Sequence, residues 1–149
     1  MKARVVFLVC LAVAIAGYVA SGKIAGSISA LPEITITPPP PDLTPKVAAL
    51  SGIWEATQPG VGPSRVVVER IGETWASVLQ FWPDQPAGYV KGDWKRISAR
   101  VSPNGELRWG YPVKFTLRVT EDGTTLESKT ERAGTSVTTL LRKVGASRL

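Results

Sequence analysis

The feature that most constrains this chain is a period-two alternation of apolar and polar residues, recurring in short runs from Ala48 almost to the C-terminus. Successive side chains of a strand point to opposite faces, so each run writes a strand with one face for a core. The runs cover Gly52 to Ala56, Ser64 to Ile71, Thr74 to Trp82, Trp94 to Val101, Glu106 to Trp109, Val113 to Thr120, Thr125 to Thr130 and Ser136 to Val144. Turn residues part them: Pro59-Gly60-Val61-Gly62-Pro63, Gly72-Glu73, Pro83 to Gly92, Pro103-Asn104-Gly105, Gly110-Tyr111-Pro112, Glu121-Asp122-Gly123 and Ala133-Gly134. Asn104-Gly105 and Asp122-Gly123 are expected to form type I′ turns, which take positive φ at both central residues. About eight strands joined this way predict an all-β fold, a single antiparallel up-and-down β-barrel, since a sheet of that size removes its edges by closing.

Alternation also locates the core. Val113, Phe115, Leu117 and Val119 oppose Lys114, Thr116 and Arg118, and Ile97, Ala99 and Val101 oppose Arg96, Ser98 and Arg100. The run Thr74 to Trp82 is apolar on both sides, with Trp75, Leu79 and Phe81 against Ala76, Val78 and Trp82. Such a strand is covered on both faces, or it offers one to a ligand or partner. The last run, around Val137, Leu140 and Leu141, also carries apolar groups on both faces.

Two segments precede the barrel. Met1 to Arg4 is a short basic start, and Val5 to Ala20 is apolar apart from Tyr18, with small residues beyond it. This is the layout of a secretory signal over residues 1–30, and the run is short for a spanning helix. Cleavage is the preferred reading; the alternative is an uncleaved inner-membrane anchor over residues 5–22. Either way the barrel is expected outside the cytoplasm, periplasmic or secreted, with the basic start on the inside. Residues 31–47 carry Pro32, Pro38, Pro39, Pro40, Pro41 and Pro45 and read as a semi-rigid polyproline II spacer. The barrel domain is then 48–145 and the C-terminal tail 146–149.

Composition excludes several chemistries. There is no histidine, which removes the commonest general base and metal ligand. The single cysteine, Cys10, lies in the leader, so the folded part has no disulfide, thiolate nucleophile or cysteine metal site. Val9 before it does not fit a lipoprotein cleavage motif. Without Lys2, Arg4 and Lys23, fifteen basic residues face twelve acidic ones, interleaved rather than clustered, which argues against a nucleic-acid partner. No cofactor and no metal are expected.

Gly52-Ile53-Trp54 at the head of such a barrel, with Arg142 in its last strand, resembles the lipocalin and wider calycin pattern. In that superfamily the first-strand Trp closes one barrel end and a late Arg packs across it. The resemblance therefore implies that Gly52, Trp54 and Arg142 are closure residues, not ligand contacts. The domain is also similar to short secreted bacterial β-domains that open on a similar Trp motif. The likeness covers Ala48 to Val144, shorter than a typical lipocalin and without its later signature loops. An open cavity and a side-chain-filled interior are both compatible with it.

The candidate ligand site lies at the looped end. Trp82 and Trp94 flank the longest loop, which carries Tyr89, and long loops at a barrel mouth collect ligand contacts. Trp82, Tyr89, Trp94 and Arg96 are the candidate residues; the competing reading is that these aromatics fill or plug the barrel. Trp94, Arg96, Ser98 and Arg100 share one strand face, with Arg108 and Arg118 as neighbours. That stripe suits an anionic ligand, but the simpler reading is a solvated face paired with Glu106, Glu127 and Glu131. Glu69 with Glu73, around one hairpin, and Asp84 with Asp93, in one loop, are carboxylate pairs on which an unfamiliar hydrolase stands as a third reading, and no catalytic residue is assigned. The expected function is non-enzymatic binding of a small apolar or amphipathic ligand, or of an envelope component. The alternative is a structural or protein-interaction module, with membrane contact only through an uncleaved leader.

Overall fold

A computed structural model describes residues 32–57, 63–83 and 92–145. The leader, the tail and most of the longest loop lie outside the described residues. Eight strands close into one antiparallel up-and-down barrel: β1 (Gly52–Ala56), β2 (Arg65–Ile71), β3 (Trp75–Trp82), β4 (Asp93–Ser102), β5 (Glu106–Trp109), β6 (Lys114–Val119), β7 (Thr125–Arg132) and β8 (Thr135–Val144). β1 pairs with both β2 and β8, so the expected barrel is the observed one.

The turns differ in detail from expectation. Neither Asn104 nor Asp122 takes positive φ. Ser102 pairs with Glu106 across a three-residue loop, the Gly105 N–H donates to the Ser102 carbonyl, and Gly105 alone is left-handed. This is the type I turn closed by a left-handed glycine that three-residue hairpin loops prefer. At Glu121 to Thr124 the loop is one residue longer and Gly123 takes the left-handed position. Positive φ at two successive residues occurs instead at Ala133-Gly134, the two-residue loop between β7 and β8.

One end of the barrel is filled. A single helical turn, α1 (Pro45–Ala48), is capped by Thr44, whose Oγ1 accepts from the Val47 N–H, and begins with Pro, whose missing N–H costs nothing there. It rests on the β4–β5 turn, where a Cβ on Gly105 would lie 3.0 Å from the Lys46 Cβ. Val47 and Leu50 drop into the barrel end to join Trp54, Val68, Ile71, Val101, Leu107, Leu117, Leu126 and Leu141 in one buried cluster. Trp54 is fully buried, and its indole N–H donates to the Leu50 carbonyl at 2.9 Å.

The proline-rich segment is not a free spacer. Glu33 to Thr37 runs along the outer wall with alternating exposure, and Ile34 and Ile36 pack onto Ile53, Val67 and Leu79, beside Phe81, Trp94 and Val144. The Thr37 N–H donates to the Glu69 carbonyl at 2.7 Å. This explains the two-sided β3: its inner face lines the barrel and its outer face lies beneath the chain's own strap. The spacer reading missed it because prolines mark extended backbone, and extended backbone carrying Ile-Thr-Ile-Thr packs wherever an apolar stripe of matching period is offered. The segment from Pro32 belongs to the same compact unit as the barrel.

Candidate functional site

Inward-facing residues change character along the barrel. From the filled end to the looped end, β3 presents Ala76, Val78, Gln80 and Trp82; β7 presents Leu126, Ser128 and Thr130; β8 presents Leu141, Thr139 and Val137. Apolar packing thus gives way to polar groups halfway up. Gln80 is 3% exposed and Ser128 fully buried, and neither Gln80 Nε2 nor Ser128 Oγ has a hydrogen-bond partner among the described residues. β3 and β7 stand on opposite walls of the ring, so these groups face one lumen from two sides. An unpaired buried polar atom costs on the order of 1–3 kcal/mol, so both positions are expensive unless something in the lumen bonds to them.

Above them an aromatic bridge spans the mouth. Trp109 of β5 stacks on Phe115 of β6, centroids 5.3 Å apart and planes 12° apart. Trp82 on β3, with β4 and β5 between, reaches across to meet the same Phe115 edge-on at 5.8 Å and 64°. Edge-on and offset-stacked rings are the favoured geometries for aromatic quadrupoles. Trp82 therefore sits at the mouth, in the lumen. Trp109 and Phe115 join it there, and period-two parity on β5 and β6 was the available signal for both. Tyr89 lies outside the described residues.

Trp94 and Arg96 lie on the outer wall. Both are on even positions of β4, whose odd positions Ile97, Ala99 and Val101 face the core, so both point outward. Trp94 is half-buried against the apolar cluster beneath the strap. Arg96 Nε and Nη2 donate to the two oxygens of Glu69 at 2.9 and 3.0 Å, and Nη2 donates to the Glu33 carbonyl at 3.0 Å. Hydrogen bonding to Glu69 raises the Arg96 pKa further above its ordinary value. Glu69 sits in a bulge of β2, where the register shifts between Val68 and Arg70, and it also accepts from Ser77 Oγ at 3.2 Å. These residues clasp the strap and are not at the mouth.

At the filled end Lys143, not Arg142, lies beside Trp54. Trp54 pairs in register with Lys143, and Arg142 pairs with Glu55 on the outer face. Lys143 Nζ lies 5.0 Å from the Trp54 ring centroid and donates to the Ala49 carbonyl at 3.0 Å, and burial lowers its pKa. Arg142 is exposed. A one-residue step along a strand reverses the face, so neighbouring cations cannot exchange roles. Gly52 has φ of +118° and a Cβ there would meet Lys143 Cε at 3.0 Å, so backbone conformation and the crossing lysine both call for glycine.

Of the paired carboxylates, Glu69 and Asp93 are engaged elsewhere. Glu69 is committed to Arg96, and Asp93 Oδ1 accepts from the Trp94 N–H at 2.7 Å. Asp84 lies outside the described residues. Among the described residues no three Asp or Glu side chains converge to hold a metal ion. The expected surface pairing holds for Arg108 with Glu106 and Arg118 with Glu127.

Fold and site together define a small closed β-barrel with one plugged end and a partly polar lumen under an aromatic bridge. No protein-family model, curated protein sequence or solved structure matches the chain.

Proposed function

We propose that this domain binds a small, neutral, amphipathic molecule in the upper half of its barrel. The carrying observation is the pair Gln80 and Ser128, buried on opposite walls, whose Nε2 and Oγ have no hydrogen-bond partner among the described residues. A carbonyl or hydroxyl on the ligand would take the hydrogen bonds these groups lack, and its apolar body would lie against Phe115 and Trp109. Eight-stranded barrels have room for side chains or for one small ligand, and here the filled end leaves only the mouth half for it. The ligand passes Trp82, whose edge contact with Phe115 is the bridge across the lumen. We read the chain as a non-enzymatic binding domain acting outside the cytoplasm, on the layout of its leader.

The test is tryptophan fluorescence with N-phenyl-1-naphthylamine and a panel of small alcohols, amides and esters. A saturable change, weakened by Ser128→Val and by Gln80→Leu, supports the reading. If nothing binds, and the high-resolution structure of the apo protein shows Gln80 and Ser128 bonded to internal waters alone, the reading falls.

A further inference from the structure

The outer wall over β4 to β7 carries a second feature that the lumen does not use. Outward side chains of β4 to β8, together with Trp109 and Phe115 from the mouth, wall a groove of about 900 Å³ that contains five cationic residues and three glutamates. The glutamates are already taken: Glu106 by Arg108, Glu127 by Arg118 and Glu131 by Lys129. Arg100 and Lys114 have no ion pair among the described residues. The register sets Arg100 directly opposite Arg108 on the neighbouring strand, and the same row continues through Thr116 to Lys129 and Thr138. Like charges facing each other across a strand pair destabilise a sheet, and surfaces normally intersperse signs to avoid this. A row of three cations with hydroxyls between them is therefore an arrangement that folding alone does not favour.

An oxyanion relieves it. Two guanidinium forks present several N–H donors to one group, and flanking hydroxyls add neutral donors from other directions. The oxygens of a tetrahedral phosphoryl group can be approached by two guanidinium forks from different directions, whereas one guanidinium already satisfies both oxygens of a planar carboxylate. We infer that the groove centred on Arg100 and Arg108 is a binding site for a phosphoryl group, with Lys129, Thr116 and Thr138 as its further donors. The groove meets the mouth at Trp109 and Phe115, but these five donors all point outward, so the site does not rest on the lumen reading.

The phosphoryl group has two plausible sources in chemistry, a free oligophosphate or a phosphodiester headgroup, and calorimetric titration of the full chain at low ionic strength separates them. Tripolyphosphate serves for the first and glycerophosphoglycerol, a phosphatidylglycerol headgroup without its acyl chains, for the second. Binding of either supports the site, and their relative affinity names the source. Arg100→Gln should weaken binding about tenfold, the loss of one charge-assisted pair of hydrogen bonds. Without ligand the same variant should melt a few degrees higher than the wild type at low salt, since it removes the like-charge contact. Arg132→Gln, on an exposed residue outside the groove, should leave binding unchanged. Absence of binding by both probes overturns the inference. So does equal binding by Arg100→Gln and wild type, or a lower melting temperature for the unliganded variant, which would make Arg100 a structural residue.

Discussion

Arg96 grips both carboxylate oxygens of Glu69, Nε to Oε2 at 2.9 Å and Nη2 to Oε1 at 3.0 Å, while the Glu69 carbonyl holds the Thr37 N–H of the strap. One bulged residue thus connects three segments: its side chain reaches β3 and β4, and its backbone reaches the N-terminal strap. Glu69 is 7% exposed, so its charge relies on these partners. Glu69→Ala should lower stability in urea by about 2 kcal/mol, from lost charge-assisted hydrogen bonds and the orphaned Ser77 hydroxyl. It should also increase binding of an apolar dye to the stripe of Ile53, Val67 and Leu79. Unchanged dye binding would show that the strap stays seated without the clasp.

Lys143 and Arg142 are adjacent cations with different surroundings, and their variants should separate. Lys143→Ala removes the contact with the Trp54 ring and the bond to the Ala49 carbonyl, and should cost about 1 kcal/mol. Arg142→Ala, on the outer face, should stay within about 0.5 kcal/mol of the wild type. Thermal denaturation of the two variants side by side reads the difference.

Gly52→Ala should destabilise by about 1–3 kcal/mol, because φ of +118° is strained for any residue with a Cβ. Ile53 and Trp54 keep their faces, so near-UV circular dichroism should retain the Trp54 signal in the folded variant.

Ser128→Ala should raise stability by about 1 kcal/mol, since it deletes a buried hydroxyl that has no partner among the described residues. A decrease instead would mean that the hydroxyl is satisfied in solution.

The β6–β7 turn carries a pH signature. Hydrogen bonds from the Thr120 hydroxyl, and from the Thr124 N–H and hydroxyl, lower the Asp122 pKa to about 2. A carboxyl whose folded pKa lies below its unfolded one stabilises the fold above the unfolded value of 3.8, and that stability is lost as pH falls through the window toward 2. Asp122→Asn should flatten the acid limb of the stability–pH curve over that range. An unchanged limb would place the proton-linked stability in other carboxylates.

Strand number, strand order and the identity of the filled end were legible in the sequence, because period two reports facing directly and short turns leave few topologies. Trp82 was legible as a mouth residue by its place before the long loop. Its partners Trp109 and Phe115 were legible only as inward residues, since β3 and β6 meet through ring closure and not through neighbouring pairing. The separation of Arg96 from the mouth followed from parity as well, and was obscured by its nearness in sequence to the loop.

What the sequence by itself determined is the alternation: which residues are strand, which turn, and which face of each strand is apolar. The tertiary structure alone decided what covers each face. Burial is a relation between segments far apart in the chain: Ile34 and Ile36 become a strap only because Ile53, Val67 and Leu79 align on three neighbouring strands, and Lys143 becomes the cap because the β1–β8 register sets it beside Trp54. Gln80 and Ser128 are ordinary polar residues in sequence. Only closure of the ring places them on opposite walls of one barrel, with Gln80 Nε2 and Ser128 Oγ buried and without a partner among the described residues.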